Sequence, residues 1–114
     1  MKRLILVMLV MLVGVTVQAQ EKKKKKNAKL EIGVNGNCGM CKKRIEKAAF
    51  SVKGVKYAAW HEDHQDLHLI LDENKCSVED VRKAIAETGH DTDKVKAEDV
   101  AYDGLHECCK YKRE

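Results

Sequence analysis

The chain has 114 residues, of which 44% are hydrophobic and 35% are charged, and its formal net charge is +4. This length leaves room for one domain with a modest core. The composition includes five cysteines and no proline. No internal repeat is visible.

The N-terminus carries the pattern of an export signal. Lys2 and Arg3 precede an apolar run over 4–17, and small residues at Val17 and Ala19 occupy the −3 and −1 positions of a cleavage site. The run is shorter than the roughly 20 residues of a membrane-spanning helix. We therefore predict a signal peptide over 1–19 and a periplasmic or secreted protein that does not span the membrane once cleaved, the alternative being an uncleaved anchor.

A basic segment follows the predicted cleavage site. Residues 20–27 contain five consecutive lysines, from Lys22 to Lys26, ahead of any apolar periodicity. Such runs can attract nucleic acid or an anionic membrane, but more often they are solvated tethers. We interpret 20–27 as a linker and expect no nucleic-acid partner.

The next elements alternate between strand and helix patterns. A half-buried strand is predicted near 30–34, followed by a loop and by a helix that begins at Cys41 and ends before Gly54. Val55, Tyr57 and Ala59 alternate in a second strand. A third strand follows in a β-hairpin, with Leu67, Leu69 and Leu71 alternating.

The C-terminal half continues this order. Ser77 and Asp80 resemble a capping box that starts a second helix, which Gly89 ends. A short final strand is predicted over 91–95. Apolar residues at helical spacing predict a third helix from Ala97 to Cys108, although Gly104 weakens it.

The predicted order is therefore βαββαβ followed by a helix. This is the α+β, ferredoxin-like arrangement, in which two helices cover one face of a four-stranded antiparallel sheet. In this topology the loop carrying Cys38, the hairpin turn carrying His61 and His64, and the loop carrying His90 share one end. Cys76 lies at the opposite end.

Cys38-Gly39-Met40-Cys41 places two thiols where a loop enters a helix. The helix dipole and its unpaired N–H groups favour thiolate, and Lys42 and Lys43 add positive charge. Thiolates are soft ligands that select Cu(I), Zn(II) and similar metals. A structural disulfide, a redox dithiol and half a zinc site are the alternatives, although the absence of proline disfavours a thioredoxin-like protein.

Residues 28–96 resemble the heavy-metal-associated domain of copper chaperones and metal-pumping ATPases. The resemblance rests on the stretch 35–41 with its two cysteines, on 45–48, on Gly54-Val55 and on 87–90. It implies Cu(I) binding by Cys38 and Cys41 and transfer to a partner that bears a similar site.

Three positions depart from or extend the family pattern. Gly36 stands where the family usually has a methionine that packs beneath the loop. Met40 is interpreted as an exposed loop residue rather than a thioether ligand. His90 occupies a position where the family's histidine can act as an additional ligand, the alternative being a surface histidine.

Residues 97–114 extend beyond the family domain and carry Cys108 and Cys109. A helix from Ala97 to Cys108 rises about 16 Å, enough to return these thiols to the metal end. We predict them as further ligands, with His106 as an additional candidate. The alternative is a disulfide from Cys76 to either of them. His61, His64 and His68 are interpreted as a solvated hairpin, with a weak accessory site as the alternative.

The sequence therefore predicts an exported metal-binding protein and not an enzyme, since no acid–base pair or activated nucleophile is arranged for catalysis. The predicted ligands are Cys38, Cys41, His90, Cys108 and Cys109. Cu(I) is the expected metal, with Hg(II) or Zn(II) scavenging as alternatives, and a thiol-disulfide redox protein as the alternative of another class. The expected partner is a metal-transporting ATPase or another metal acceptor.

Overall fold

A three-stranded antiparallel sheet forms the base of the fold. The computed structural model describes residues 24–113, so the predicted signal peptide and residues 20–23 of the linker lie outside the described residues. The strands are β1 (Ala28–Gly33), β2 (Val55–His61) and β3 (Asp66–Leu71), and β3 lies between the other two. No helix of the described segment is long and apolar enough to cross a membrane.

Two helices bury their apolar sides in the same core as the sheet. They are α1 (Gly39–Phe50) and α2 (Val78–Glu87). The predicted capping box of α2 is confirmed, because Ser77 accepts a hydrogen bond from the Asp80 amide and the Asp80 carboxylate accepts one from the Ser77 amide. The buried apolar side chains from the strands and helices include Ile32, Leu67, Leu69, Leu71, Ile45, Val81 and Ile85.

The predicted fourth strand over 91–95 is wrong for the described residues. Only Thr92 forms a β-bridge, to Val34, and the Asp93 amide donates to the Gly33 carbonyl. The chain then turns, because the Thr92 hydroxyl and backbone both bond to Val95. A side chain that captures a nearby backbone group competes with sheet pairing. The segment therefore borders β1 without extending the sheet.

The predicted alternation of β2, with Val55, Tyr57 and Ala59 on one face, does not match the residues that the structure buries. An irregularity between Val55 and Tyr57 shifts the pairing with β3, and such a shift moves the following side chains to the other face. Ala58 and Trp60 are consequently buried, whereas Tyr57 is exposed. Trp60 is among the largest fully buried side chains described.

The predicted helix from Ala97 to Cys108 is shorter than expected. Helix α3 spans Asp99–Asp103 and is capped at Gly104, and a separate 3-10 turn spans Glu107–Cys109. The break lets Leu105 turn into the core, where it is 7% exposed. Burial of this side chain therefore competes with continuation of the helix.

The C-terminal segment is part of the main core. Cys109 and Tyr111 belong to the same buried cluster as the sheet and helices. The Tyr111 hydroxyl accepts from the Asp91 amide at 2.7 Å and donates to the Gly89 carbonyl at 2.9 Å. Arg113 forms two hydrogen bonds of 2.9 Å to the Asp91 carboxylate, a strong bidentate arrangement. Tyr111 and Arg113 thus anchor the segment directly after Cys108 and Cys109 in the chain.

Candidate metal centre

The loop before Cys38 is held by two other loops at the same end of the fold. The Val34 amide donates to the backbone carbonyl of Gln65 in the hairpin turn at 2.9 Å. The Gly36 amide donates to the Gln65 side-chain oxygen, also at 2.9 Å. The Asn35 amide donates to the Asp91 carbonyl, also at 2.9 Å. The prediction that these three connections meet at one end is confirmed.

Cys38 and Cys41 lie side by side at the start of α1. Their sulfurs are 3.5 Å apart, and Cys38 is the residue immediately before the helix. The Cys41 backbone N–H faces the Cys38 thiol and lowers its pKa to about 7, whereas burial raises the pKa of Cys41 to about 12. Cys38 therefore carries the more acidic thiol of the pair.

Trp60 fills the space beneath the loop. A Cβ atom at Gly36 would lie 3.0 Å from the Trp60 ring and 3.1 Å from Cys41 Cβ. The Trp60 indole N–H donates to the Val34 carbonyl at 2.9 Å. The ring occupies the position under the loop where the family pattern places a methionine, which explains why glycine stands at 36.

Cys108 and Cys109 reach the dithiol from the C-terminal segment. The Cys38 sulfur lies 3.5 Å from that of Cys108 and 3.4 Å from that of Cys109. The latter two sulfurs are 3.9 Å apart. Cys38 thus contacts all three other thiols, and the structure holds these sulfurs as free thiols.

Arg44 adds positive charge next to this group of thiols. It lies one turn after Cys41 on α1. Burial raises the pKa of the Cys109 thiol, and the neighbouring Cys41 and Arg44 side chains oppose this rise. Its Nη1 atom is buried and has no hydrogen-bond partner in the described part of the chain. A buried guanidinium nitrogen without a partner is costly, and it is available to a negatively charged occupant of the site.

His90 lies beneath the loop rather than on the surface. It is fully buried, its Nδ1 atom is 2.8 Å from the Asn35 carbonyl, and its ring stacks on Tyr111. Burial lowers its pKa, so the ring is neutral and Nδ1 carries the proton. Nε2 is buried without a described partner. Among the described residues the sulfurs of Cys38, Cys108 and Cys109 all lie within 4.8 Å of one another, and neither His90 nor Cys41 belongs to this group.

Two other sulfur-bearing side chains take different places. Met40 is 47% exposed, as predicted, but it lies in the first turn of α1 rather than in the loop, and its sulfur is 3.8 Å from that of Cys108. The Cys76 sulfur lies 3.8 Å from the Asp72 carbonyl, beside Gly54. The structure therefore does not bring Cys76 together with Cys108 or Cys109, as the alternative disulfide would require.

Among the described residues, the three histidines of the hairpin belong to no metal-ligand group with the dithiol. The ring of His68 lies 4.6 Å from that of His61 and sits between Glu31 and Asp66, whose carboxylates are 3.5 and 3.4 Å from its nitrogens. These three side chains could accept a cation, but they are exposed or half-buried on the other face of the sheet. His64 is solvent-exposed beside Asp63.

The arrangement as a whole suits a soft cation better than acid–base chemistry. The Cys38 sulfur contacts those of Cys41, Cys108 and Cys109, and α1 has no acidic residue in its first turn. The sequence predicted the thiols but missed their supports, namely Trp60, Gln65, Arg44, Tyr111 and Arg113. Only Trp60 carried a signal, since the single tryptophan of a small chain is a strong candidate for burial.

Comparison with known proteins gives the same picture. No family model matches the chain. Over 61 residues it is 34% identical to the copper chaperone CopZ of Staphylococcus haemolyticus, a match that covers 53% of this chain and 90% of that protein. Almost the whole chaperone therefore has a counterpart here, whereas about half of this chain lies outside the match.

Solved structures share the fold. A copper binding domain from HMA7, a P-type ATPase, has a TM-score of 0.55 and 28% identity, covering 62% of this chain and 96% of its own. Oxidized MerP from Ralstonia metallidurans has a TM-score of 0.55 and 25% identity, covering 58% and 93%. The fold, the thiols and the CopZ match together show that this chain belongs to the heavy-metal-associated domain family of copper- and mercury-binding proteins.

Proposed function

We propose that this protein binds Cu(I) through the thiolates of Cys38 and Cys41 and carries or buffers it outside the cytoplasm. The observation that supports this most directly is the 3.5 Å pair of sulfurs at the start of α1, in a chain related to a copper chaperone. Thiolates bind Cu(I) strongly because both partners are soft.

The position of the pair suits a carrier. Cys38 is half-buried, and Gly39 and Met40 beside it are exposed, so an incoming ligand can approach the metal from solvent. Metal binding displaces the thiol protons. Cys38, whose pKa is lowered to about 7, gives up its proton at neutral pH more readily than Cys41, whose pKa is raised to about 12. A dithiolate that is accessible on one side can accept and release its ion without unfolding.

The proposed acceptor is a metal-transporting ATPase or another protein with a similar dithiol. The copper binding domain of a P-type ATPase shares this fold, and two like sites can exchange a soft ion through shared thiolates. The experiment is transfer of Cu(I) between this protein and a domain of that kind, followed under anaerobic conditions by the metal content of each after separation.

Export is proposed from residues 1–19, which carry the signal pattern. Fractionation of the native cells with mass determination of the mature N-terminus tests it. A periplasmic or secreted protein that begins at Gln20 supports the proposal, and a cytoplasmic protein that begins at Met1 contradicts it.

Anaerobic titration with Cu(I) against a chromophoric chelator tests metal binding itself. We expect one tightly bound ion in the wild type and loss of that binding in Cys38→Ser and in Cys41→Ser. Cys76→Ser is the matched control, since this thiol lies away from the site. Unchanged affinity in the first two variants would show that the dithiol is not the site.

Hg(II) capture is the second candidate, favoured by the structural match to MerP. Zn(II) is an alternative cargo for the same thiols. Competition titration orders the three metals, and tight Hg(II) binding beside a weak Cu(I) site would reverse our order. The redox alternative loses support because the sheet is wholly antiparallel rather than the βαβ frame of thioredoxin-like proteins.

His90 remains a proposed ligand through Nε2, its free ring nitrogen. A metal-bound histidine commonly donates its other N–H to a backbone carbonyl, as Nδ1 does here to Asn35. X-ray absorption of the Cu(I) form tests this role: ligation predicts a nitrogen neighbour that disappears in His90→Phe, a change that keeps a ring against Tyr111. A wild-type spectrum without nitrogen removes His90 from the ligand set.

A further inference from the structure

The C-terminal pair of cysteines, about 70 residues away in sequence, lies against the dithiol. We propose that Cys108 and Cys109 bind the same metal ion as Cys38 and Cys41, so that the chain's own C-terminal segment completes a site with up to four thiolates. This inference rests on the proposed function, because it assigns further ligands to the same cargo.

The distances between the sulfurs fit this kind of site. Four thiolates arranged tetrahedrally at a bond length of about 2.3 Å have sulfurs about 3.8 Å apart, whereas two thiolates in line would be about 4.6 Å apart. The Cys38 sulfur lies 3.4 to 3.5 Å from the other three, and Cys108 and Cys109 are 3.9 Å apart. These four spacings are closer to the tetrahedral than to the in-line value. Cys38, Cys108 and Cys109 form a group whose sulfurs all lie within 4.8 Å of one another, and Cys41 adjoins this group through its contact with Cys38.

The C-terminal thiols are held in place from both sides. On one side Leu105 is buried in the core. On the other side Tyr111 is fixed by two hydrogen bonds and Arg113 by a bidentate ion pair with Asp91. Because the flanking residues are fixed, ordering Cys108 and Cys109 around an ion costs little conformational entropy.

The charge around the site favours several thiolates. One monovalent ion bound by four thiolates has a net charge of −3, which must be offset locally in a partly buried site. The Arg44 side chain lies near Cys109, and its Nη1 nitrogen is buried with no hydrogen-bond partner among the described residues. The guanidinium is thus placed to stabilise negative charge on Cys109.

The additional ligands would make this protein retain its metal. A site with two thiolates leaves coordination positions open for the acceptor, whereas here Cys108 and Cys109 occupy them. Cys108 is exposed and Cys109 is fully buried, so Cys108 is the ligand that an incoming thiolate can replace first. Release then requires displacement of the chain's own ligands.

X-ray absorption of the full chain loaded anaerobically with Cu(I) alone tests the proposal. We expect four sulfur neighbours in the wild type, or three where the His90 nitrogen is the fourth ligand, and two sulfur neighbours in the double variant Cys108→Ser/Cys109→Ser. The same variant should lose at least about tenfold in Cu(I) affinity, because even loss of a residue behind a ligand costs that much. Two sulfur neighbours in both proteins, with equal affinity, would overturn the inference.

Four further variants make the outcome unambiguous. Cys108→Ser alone changes an exposed side chain, so it should fold normally, and it should remove one sulfur neighbour. Cys76→Ser should change neither readout. If Cys38→Ser loses Cu(I) binding while Cys108→Ser/Cys109→Ser is unaffected, the four-thiolate site is refuted and the proposed function stands. If Cu(I) binding survives in Cys38→Ser/Cys41→Ser, the proposed function itself is refuted.

Discussion

Gly36 and Trp60 have complementary sizes at the loop over 35–41, since the absence of a side chain at 36 leaves space for the Trp60 ring. The position at 36 has no space for a side chain, because the Trp60 ring and Cys41 Cβ lie within about 3 Å of where it would start. The ring is also fixed at its polar end by the Val34 carbonyl. The loop is therefore supported from β2 rather than by a side chain of its own.

We expect Gly36→Met to destabilise the protein by about 1–3 kcal/mol, because it overpacks a filled site. Trp60→Leu alone should also destabilise, since it leaves a cavity. The double variant should cost less than the sum of the two, because the methionine would occupy the space that the indole leaves. Urea unfolding of the four proteins measures this, and additive costs would show that the two positions do not share one space.

At the residue scale the sequence was informative about the thiols and silent about their support. Spacing and residue type were sufficient to predict Cys38 and Cys41 as a pair. The burial of Trp60 depends on the irregularity between Val55 and Tyr57. No sequence pattern predicted this irregularity. The sequence pattern placed Arg44 on the solvated side of α1. Its proximity to Cys109 depends on the folded position of the C-terminal segment.

The capping box of α2 makes a prediction about acid stability. The Ser77 amide and hydroxyl lower the pKa of Asp80 below its usual value of 3.8. A carboxylate of this kind stabilises the fold above its unfolded pKa, and the stabilisation is lost as the pH falls through its folded pKa. We expect Asp80→Asn to be less stable than wild type at pH 7 and equally stable once the wild-type carboxyl is protonated.

Denaturant unfolding of both proteins from neutral pH to well below 3.8 measures this difference. Asp63→Asn in the exposed hairpin turn is the matched control and should leave stability unchanged throughout. A deficit in Asp80→Asn that does not shrink on acidification would mean that the charge of Asp80 is not what stabilises α2.

The C-terminal segment depends on Tyr111 for its position. Tyr111→Phe leaves the buried Asp91 amide and Gly89 carbonyl without their partner, which costs about 1–3 kcal/mol. We expect lower stability in urea unfolding and, since Cys108 and Cys109 are then less firmly placed, weaker Cu(I) binding. Tyr57→Phe on the exposed face of β2 is the control and should match wild type in both measurements.

The affinity effect of Tyr111→Phe should vanish in the Cys108→Ser/Cys109→Ser background, where the segment no longer carries ligands. An equal loss of affinity in both backgrounds would indicate that Tyr111 acts on the dithiol directly.

The elements that the sequence predicted correctly are those with strong local patterns. The alternation in β3, the helical period in α1 and the capping box of α2 are all local. The predicted strand over 91–95 and the long helix from Ala97 failed because tertiary contacts decided them. Thr92 bonds to Val95, and burial of Leu105 ends the helix at Gly104. The thiols nevertheless reach the predicted end of the fold by this different path.

At the scale of the whole molecule, a single core extends from the sheet to the C-terminal segment. The predicted boundary at residue 96 marks where the resemblance to the family ends in the sequence. In the structure, Leu105, Cys109 and Tyr111 belong to the same buried cluster as the sheet and helices. A ligand that contacts both parts should therefore stabilise both together.

Amide hydrogen exchange of the metal-free and Cu(I)-loaded chain tests this coupling. We expect Cu(I) to slow exchange both in the loop over 35–41 and in the segment over 105–113. In Cys108→Ser/Cys109→Ser only the loop should be protected. Protection confined to the loop in the wild type would mean that the C-terminal segment does not take part in binding.

The burial of Trp60 has a practical consequence. It is the only tryptophan in the chain, and its ring lies directly below the loop and close to Cys41. Indole emission depends on nearby groups and on packing, so the fluorescence of this residue should change when metal enters the site. The protein thus contains its own optical reporter, and the loading and release of metal can be followed in real time without a label.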